Sequence, residues 1–197
     1  MPLLLGAGHD IKRPASVLLV SDTFTGADST GLDVHVPDFN LYGNSWVELD
    51  GTWEIFGNQL RETAGTLREC YINVTRSDVV VQATLATPGG ADPGIVGRIT
   101  DNDNYYLLVA NSITNALLLW KQVATVFTQL DTFSYTFQAN DVIKFRLKGN
   151  DLRGYINDIQ RVSAIDSAVP NANNHGFFSH AGNFSAVRWD NLTIRTA

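Results

Sequence analysis

Sulfur chemistry is nearly absent from this sequence. Cys70 is the single cysteine, which excludes an intrachain disulfide framework and a thiolate metal site. In "TLRECYINV" it stands in a strand-like run and reads as a small buried apolar residue rather than a reactive thiol. A block of positive charge is missing too. The 14 Lys and Arg residues are scattered among 20 acidic ones, giving a net charge of −6. That balance argues against nucleic acid and anionic membrane as partners. No apolar run approaches the ~20 residues of a membrane span. The opening "MPLLLGAGHDIKRPASVLLV" has no basic leader, and charges at Asp10, Lys12 and Arg13 soon follow its short apolar run. It therefore does not read as a Sec signal. Helical spacing is not sustained anywhere for the ten or more residues that a helix needs.

What is present is a succession of short β-like segments. They include "SVLLVSDTF", "SDVVVQATLAT", "GIVGRIT", "NYYLLVAN", "NALLLWKQV", "TFSYTF", "VIKFRLKG", "LRGYIN", "GFFSH" and "AVRWDNLTIRT". Turn-forming stretches such as "PGGADPG", "DNDN", "NSITN" and "KGND" separate them. In "VIKFRLKG" strict alternation assigns Ile143, Phe145 and Leu147 to a core face and Lys144, Arg146 and Lys148 to the other. The "LLLW" run is apolar on both faces, as in a strand covered on both sides. About a dozen strands with almost no helix imply a β-sandwich or barrel. At 197 residues such a chain buries roughly 70% of its unfolded surface and needs no metal or disulfide to hold a core. The simplest partition is an N-terminal arm over residues 1–16 and one β domain over 17–197.

The stretch "WVELDGTWEIFGNQLRE" at 46–62 places Glu48, Asp50 and Glu54 at even positions. On an unbroken strand these carboxylates would share a face, as a retaining glycosidase requires of its nucleophile and acid/base. Asp50-Gly51, however, is a strong two-residue hairpin signal, and Gly57-Asn58 is a second. We therefore expect short hairpins with Glu48 and Glu54 on different strands. Catalysis by Glu48 and Glu54 stands as the alternative.

The order of landmarks is "DTFTGAD" at 22–28, "GTWEIFGNQL" at 51–60, "DVVVQATL" at 78–85 and "GIVGRITDNDNYYLLV" at 94–109. "ALLLWKQV" at 116–123, "VIKFRLKGNDLRGYIND" at 142–158 and "GFFSHAGNFSAVRWDNLTI" at 176–194 follow. Over about residues 20–195 this series resembles the LamG-like, concanavalin A-like jelly-roll domains of bacterial surface proteins and bacteriophage virion proteins. The resemblance implies an all-β sandwich of two antiparallel sheets, with the last strand, carrying Trp189, beside the first near Phe24. Asp22 and Asp190 would then approach each other. Some relatives hold a structural calcium at such a place, but two carboxylates do not specify one, and no metal or cofactor is assigned. Laminarinase-type hydrolases carry E-x-D-x-x-E on one strand, whereas this sequence has an extra residue and a turn.

Jelly rolls of this kind resemble lectins and glucanases, which hold sugars on one sheet face, where aromatic rings meet the apolar side of a pyranose. Arg98, Tyr106 and Trp120 lie on adjacent strands and are the candidate carbohydrate-binding residues; ordinary core roles for Tyr106 and Trp120 are the plainer reading. His9, His35, His175 and His180 form no metal-spaced pair, and no nucleophile motif accompanies them. The expectation is a non-enzymatic virion protein with localisation in the particle, a homo-oligomer or particle-bound. Its arm would dock on other virion proteins by strand addition, and cell-surface glycan is a possible ligand. A carbohydrate-binding module of a bacterial extracellular protein is the first alternative, and a laminarinase-like hydrolase the second.

Overall fold

The computed structural model describes residues 15–64, 67–89, 91–169, 172–182 and 186–197, with residues 67, 91, 181 and 182 described by backbone alone. All but two residues of the expected arm therefore lie outside the described residues. Among the described residues seventeen strands, numbered along the chain, fall into two antiparallel sheets. They are β1 (Leu18–Asp22), β2 (Thr30–Gly31), β3 (Phe39–Asn40), β4 (Trp46–Glu48), β5 (Thr52–Ile55), β6 (Leu60–Ala64), β7 (Leu67–Asn73), β8 (Val79–Thr87) and β9 (Ala91–Asp101). After them come β10 (Asn104–Asn111), β11 (Ala116–Val123), β12 (Val126–Ser134), β13 (Asp141–Lys148), β14 (Asp151–Ile156), β15 (Ile159–Ile165), β16 (Asn174–Gly182) and β17 (Arg188–Thr196). Among the described residues the helical content is one 3-10 turn, Leu32–Val34, and no helix is long and apolar enough to cross a membrane.

The ten-stranded sheet runs β15-β14-β13-β8-β17-β6-β5-β2, with β1 joined to β17 and β3 to β1. The seven-stranded sheet runs β12-β11-β10-β9-β16-β7-β4. First and last strands pair as expected, with Val20 opposite Ile194 and Asp22 opposite Leu192. Alternation fills the space between the sheets. Ile143, Phe145 and Leu147 of β13 are fully buried there, with Val81 and Leu85 of β8 and Leu108, Leu117 and Leu119 from the facing sheet. Cys70 belongs to the same core, and burial pushes its thiol well up, so it is not a reactive thiolate.

The turns follow local chemistry. Gly57 and Asn58 both take positive φ and close the β5–β6 hairpin, while Asn157 and Asp158 do the same between β14 and β15. Asp50-Gly51 turns the chain but forms no hairpin, which corrects the expectation. β4 pairs with β7 in the seven-stranded sheet, and β5 pairs with β6 and β2 in the other. Gly51, at φ +75°, is where the chain passes from one sheet to the other. An added Cβ there would lie 2.6 Å from Arg68 Cγ and 2.8 Å from the Ala64 carbonyl oxygen. Asp50 accepts the Gly51 amide at 2.7 Å, fixing the bend.

Two further elements differ from the sequence reading. "PGGADPG" contains the start of β9, because Pro93 lies opposite Ser179 while pairing with β10 begins only at Gly94. A residue lacking an amide hydrogen is tolerated where no neighbour needs that donor. β12 begins at Val126, six residues before "TFSYTF". It is the edge of its sheet, and most of its side chains face solvent, so its sequence lacks a core-facing pattern. β12 is joined to β15, the edge of the other sheet. Asp131 accepts the Ser163 amide at 2.8 Å, and the Arg161 guanidinium lies 4.7 Å from the Phe133 ring centre. An edge amide that is already bonded cannot recruit a foreign strand.

Candidate functional site

The outer face of the seven-stranded sheet carries a second apolar cluster separate from the main core: Val96, Ile99, Tyr105, Leu107, Val109 and Phe178, flanked by Leu118 and Trp120. Register explains it. Leu107 stands opposite both Val96 and Trp120, and Val109 opposite Leu118. A cleft of about 390 Å³ opens on this face between Leu107, Val109, Leu118, Trp120, Phe127 and Phe178, with Asp92, Asn111 and His180 as its polar lining. That volume is within the ~300–1,000 Å³ usual for small-ligand sites. Trp120 and Phe127 meet edge to face, ring centres 6.4 Å apart, and Phe127 remains 39% exposed. The expectation that "LLLW" is covered on both sides is thus corrected. Leu117 and Leu119 are in the core, while Leu118 and Trp120 are half-buried walls of the cleft.

The polar part of the lining comes from two paired strands. His180 of β16 stands opposite Asp92 of β9, with Nδ1 3.7 Å from Oδ2. Asp92 Oδ1 is buried with no hydrogen-bond partner among the described residues. Burial raises the Asp92 carboxyl above its usual range, and His180 opposes the shift. Asn111 accepts the amides of Ile113 and Thr114 through Oδ1, so its side chain is held in place by the turn that follows β10.

The three candidate sugar-binding residues do not share a face. Trp120 lines the cleft. Tyr106 stands opposite Lys121 and points into the core. Its hydroxyl donates to Asp166 at 2.7 Å and accepts the Val169 amide at 3.1 Å. Arg98 takes positive φ at an irregularity of β9 and is almost fully buried. Its Nε donates to the Ser77 carbonyl and its Nη2 to Asp78, both within 3.1 Å. Adjacent strands were visible in the sequence, but the parity between them was not. His180 and Asp92 carried no sequence signal, since they are 88 positions apart and meet only through the β9–β16 register.

The other acidic candidates have structural partners. Glu48 accepts the Trp53 amide at 3.1 Å, and burial raises its carboxyl. Glu54, on the other sheet, accepts from Arg61 Nε at 2.6 Å. The two acids therefore stand on different sheets, each engaged by its own partner. Asp22 is fully buried and accepts three donors: the Phe24 amide at 2.8 Å, His35 Nε2 at 2.9 Å and Trp46 Nε1 at 3.1 Å. Asp190 is near enough for the Asp22 charge to help raise its carboxyl, after burial. Among the described residues no group of three or more His, Cys, Asp or Glu could hold a metal ion.

This architecture is a concanavalin A-like jelly-roll β-sandwich with an aromatic cleft on one sheet. Solved structures of the same fold include the carbohydrate binding module CBM66 from Bacillus subtilis. It has 15% identity and a TM-score of 0.59, covering 77% of this chain and 91% of that one. Domain 4 of AbnA, a GH43 extracellular arabinanase from Geobacillus stearothermophilus, in complex with arabinotriose, has 12% identity and a TM-score of 0.55, covering 92% and 93%. The β-glucanase of Bacillus licheniformis has 12% identity and a TM-score of 0.54, covering 88% and 99%. No protein-family model matches the sequence, and no curated protein matches it.

Proposed function

We propose that this domain binds carbohydrate, non-catalytically, in the cleft on the outer face of the seven-stranded sheet. The observation that carries the reading is the arrangement of Trp120, Phe127 and Phe178 around a 390 Å³ opening lined also by Asp92, His180 and Asn111. Aromatic faces shed water against the apolar side of a sugar ring, and a few fixed polar groups orient its hydroxyls. Structures of the same fold include a carbohydrate binding module and an arabinanase domain in complex with arabinotriose, which supports the same reading. A glycosidase needs two carboxyl groups about 5–10 Å apart across one bond, and Glu48 and Glu54 belong to different sheets. The virion role expected from the sequence drew on the segment 1–16, whose residues 1–14 lie outside the described ones, so it gains no support from the fold.

The test is a glycan array with wild-type protein, Trp120→Ala and Phe127→Ala, with Tyr106→Phe as a control that leaves the cleft intact. We expect a retained glycan, at least about tenfold weaker binding when either cleft aromatic is removed, and little change in the control. No retained glycan, or binding indifferent to both cleft substitutions, overturns the reading.

A further inference from the structure

We propose that the cleft selects neutral sugars over acidic ones and that Asp92 sets this selectivity. The inference rests on the carbohydrate reading above and specifies its ligand.

It begins with the positive charges of the seven-stranded sheet. Besides His175 and His180, its strands contain three Lys or Arg residues, Arg68, Arg98 and Lys121. Each is committed to an acid away from the cleft: Arg68 to Glu62, Arg98 to Asp78, and Lys121 to Asp166. Binding a sugar carboxylate or phosphate calls for a guanidinium or ammonium facing the ligand, and none lines this cleft. The lining instead includes Asp92. Glu69 adds a second carboxyl to the same face, bonded to the Tyr105 hydroxyl at 2.8 Å.

Asp92 is also short of donors. His180 Nδ1, at 3.7 Å, is beyond direct hydrogen-bond length, and Oδ1 has no partner among the described residues. A half-buried carboxylate in this condition gains from any hydroxyl that donates to it, and loses from any anion brought beside it in a site of lowered dielectric. A neutral glycan residue supplies hydroxyl donors and an apolar ring face for Trp120 and Phe127. A uronic acid supplies a like charge, and like-charge juxtaposition is an effective way to reject a close analogue.

The experiment uses matched ligands. Any neutral oligosaccharide retained on the array is oxidised at its primary hydroxyls to carboxylates, and both forms are titrated calorimetrically against wild-type protein and Asp92→Asn. We expect the oxidised form to bind wild type at least about tenfold more weakly. In Asp92→Asn the gap should shrink below about threefold. Raising the salt from about 20 to 500 mM should shrink the wild-type gap as well, through screening. This second readout needs no variant, so it holds even if Asp92→Asn folds poorly. Equal binding of the two forms, preference for the acid, or a gap unmoved by both the substitution and salt overturns the inference while leaving the carbohydrate reading intact. Absence of any bound glycan removes both.

Discussion

Glu62 of β6 and Arg68 of β7 meet in the interior and join the two sheets. Arg68 Nη1 donates to Glu62 Oε2 at 3.1 Å, and Nε lies 3.1 Å from Oε1, with both side chains almost wholly buried. Burial has the larger effect on the Glu62 carboxyl, raising it, while Arg68 and Ser179 of β16 both work to lower it. The stem of Arg68 passes beneath Gly51, where the chain changes sheets. The ion pair and the crossover are therefore one local structure.

Removing only one charge from this pair strands the other in the interior. Arg68→Ala should lower stability by about 3–5 kcal/mol, whereas a paired replacement with apolar residues of similar volume should come much closer to wild type. Urea unfolding of Arg68→Ala, Glu62→Leu and the double variant Glu62→Leu/Arg68→Met checks this. A double variant as unstable as the sum of the singles would contradict it.

Stability should also depend on pH in a defined window. Burial raises both Glu62 and Glu69 from 4.5 to about 7. The folded state then holds more protons than the unfolded one between these values, so stability falls as pH rises from about 4.5 to 7. His175 works in the opposite direction. Burial lowers it from 6.5 to about 4, so the folded state keeps it neutral and stability is lost as pH falls through that range. Its Nδ1 accepts the Arg98 amide while its Nε2 donates to the Arg76 carbonyl, a pattern only the neutral ring can supply. Between about 4.5 and 6.5 two carboxyls oppose one imidazole, leaving a net slope of about one proton, ~1.4 kcal/mol per pH unit. Glu69→Gln should flatten that region when urea midpoints are compared from pH 5 to 8.

The glycines differ in what they protect. A Cβ at Gly176 would lie 2.1 Å from the Cys70 carbonyl oxygen, which is backbone of the paired strand. At Gly154 it would meet methyl carbons of Leu108 and Val162 at 2.4 and 2.6 Å. Side-chain ends can rotate, but a paired backbone cannot. Gly176→Ala should cost about 3 kcal/mol or more and Gly154→Ala about 1–2 kcal/mol. Thermal unfolding of the two variants would rank them, and the reverse order would refute the account.

Asp22 should behave as a hub of acceptors. Asp22→Asn turns one of its oxygens into a donor facing His35 Nε2 and Trp46 Nε1, both of which sit within 3.1 Å. Leaving a buried donor unmatched costs about 1–3 kcal/mol. Tryptophan fluorescence during unfolding reads the loss.

Much of the sandwich was legible because alternation and turn residues are local signals. "VIKFRLK" declared its inward face, and Gly57-Asn58 declared its reversal. Asp50-Gly51 shows where that legibility stops. The dipeptide specifies a bend, but which sheet takes up Thr52–Ile55 depends on β6, β2 and the packing of Arg68 beneath Gly51. The cleft was half visible. Trp120 could be picked from its strand, but pairing it with Tyr106 required knowing that Trp120 stands opposite Leu107. Asp92 is hidden inside "PGGADPG", whose glycines and prolines read as a turn although β9 begins within it.

The basic residues that leave the cleft face empty collect on the opposite side of the sandwich. Alternation turns Lys144, Arg146 and Lys148 outward on β13, and register aligns Arg153 and Arg195 with them, against Asp151 and Asp158. That face is therefore a lattice of matched charges, Lys144 with Asp158 and both Arg146 and Arg153 with Asp151, whereas the described lining of the aromatic opening on the far sheet has no such cross-bracing by Lys or Arg.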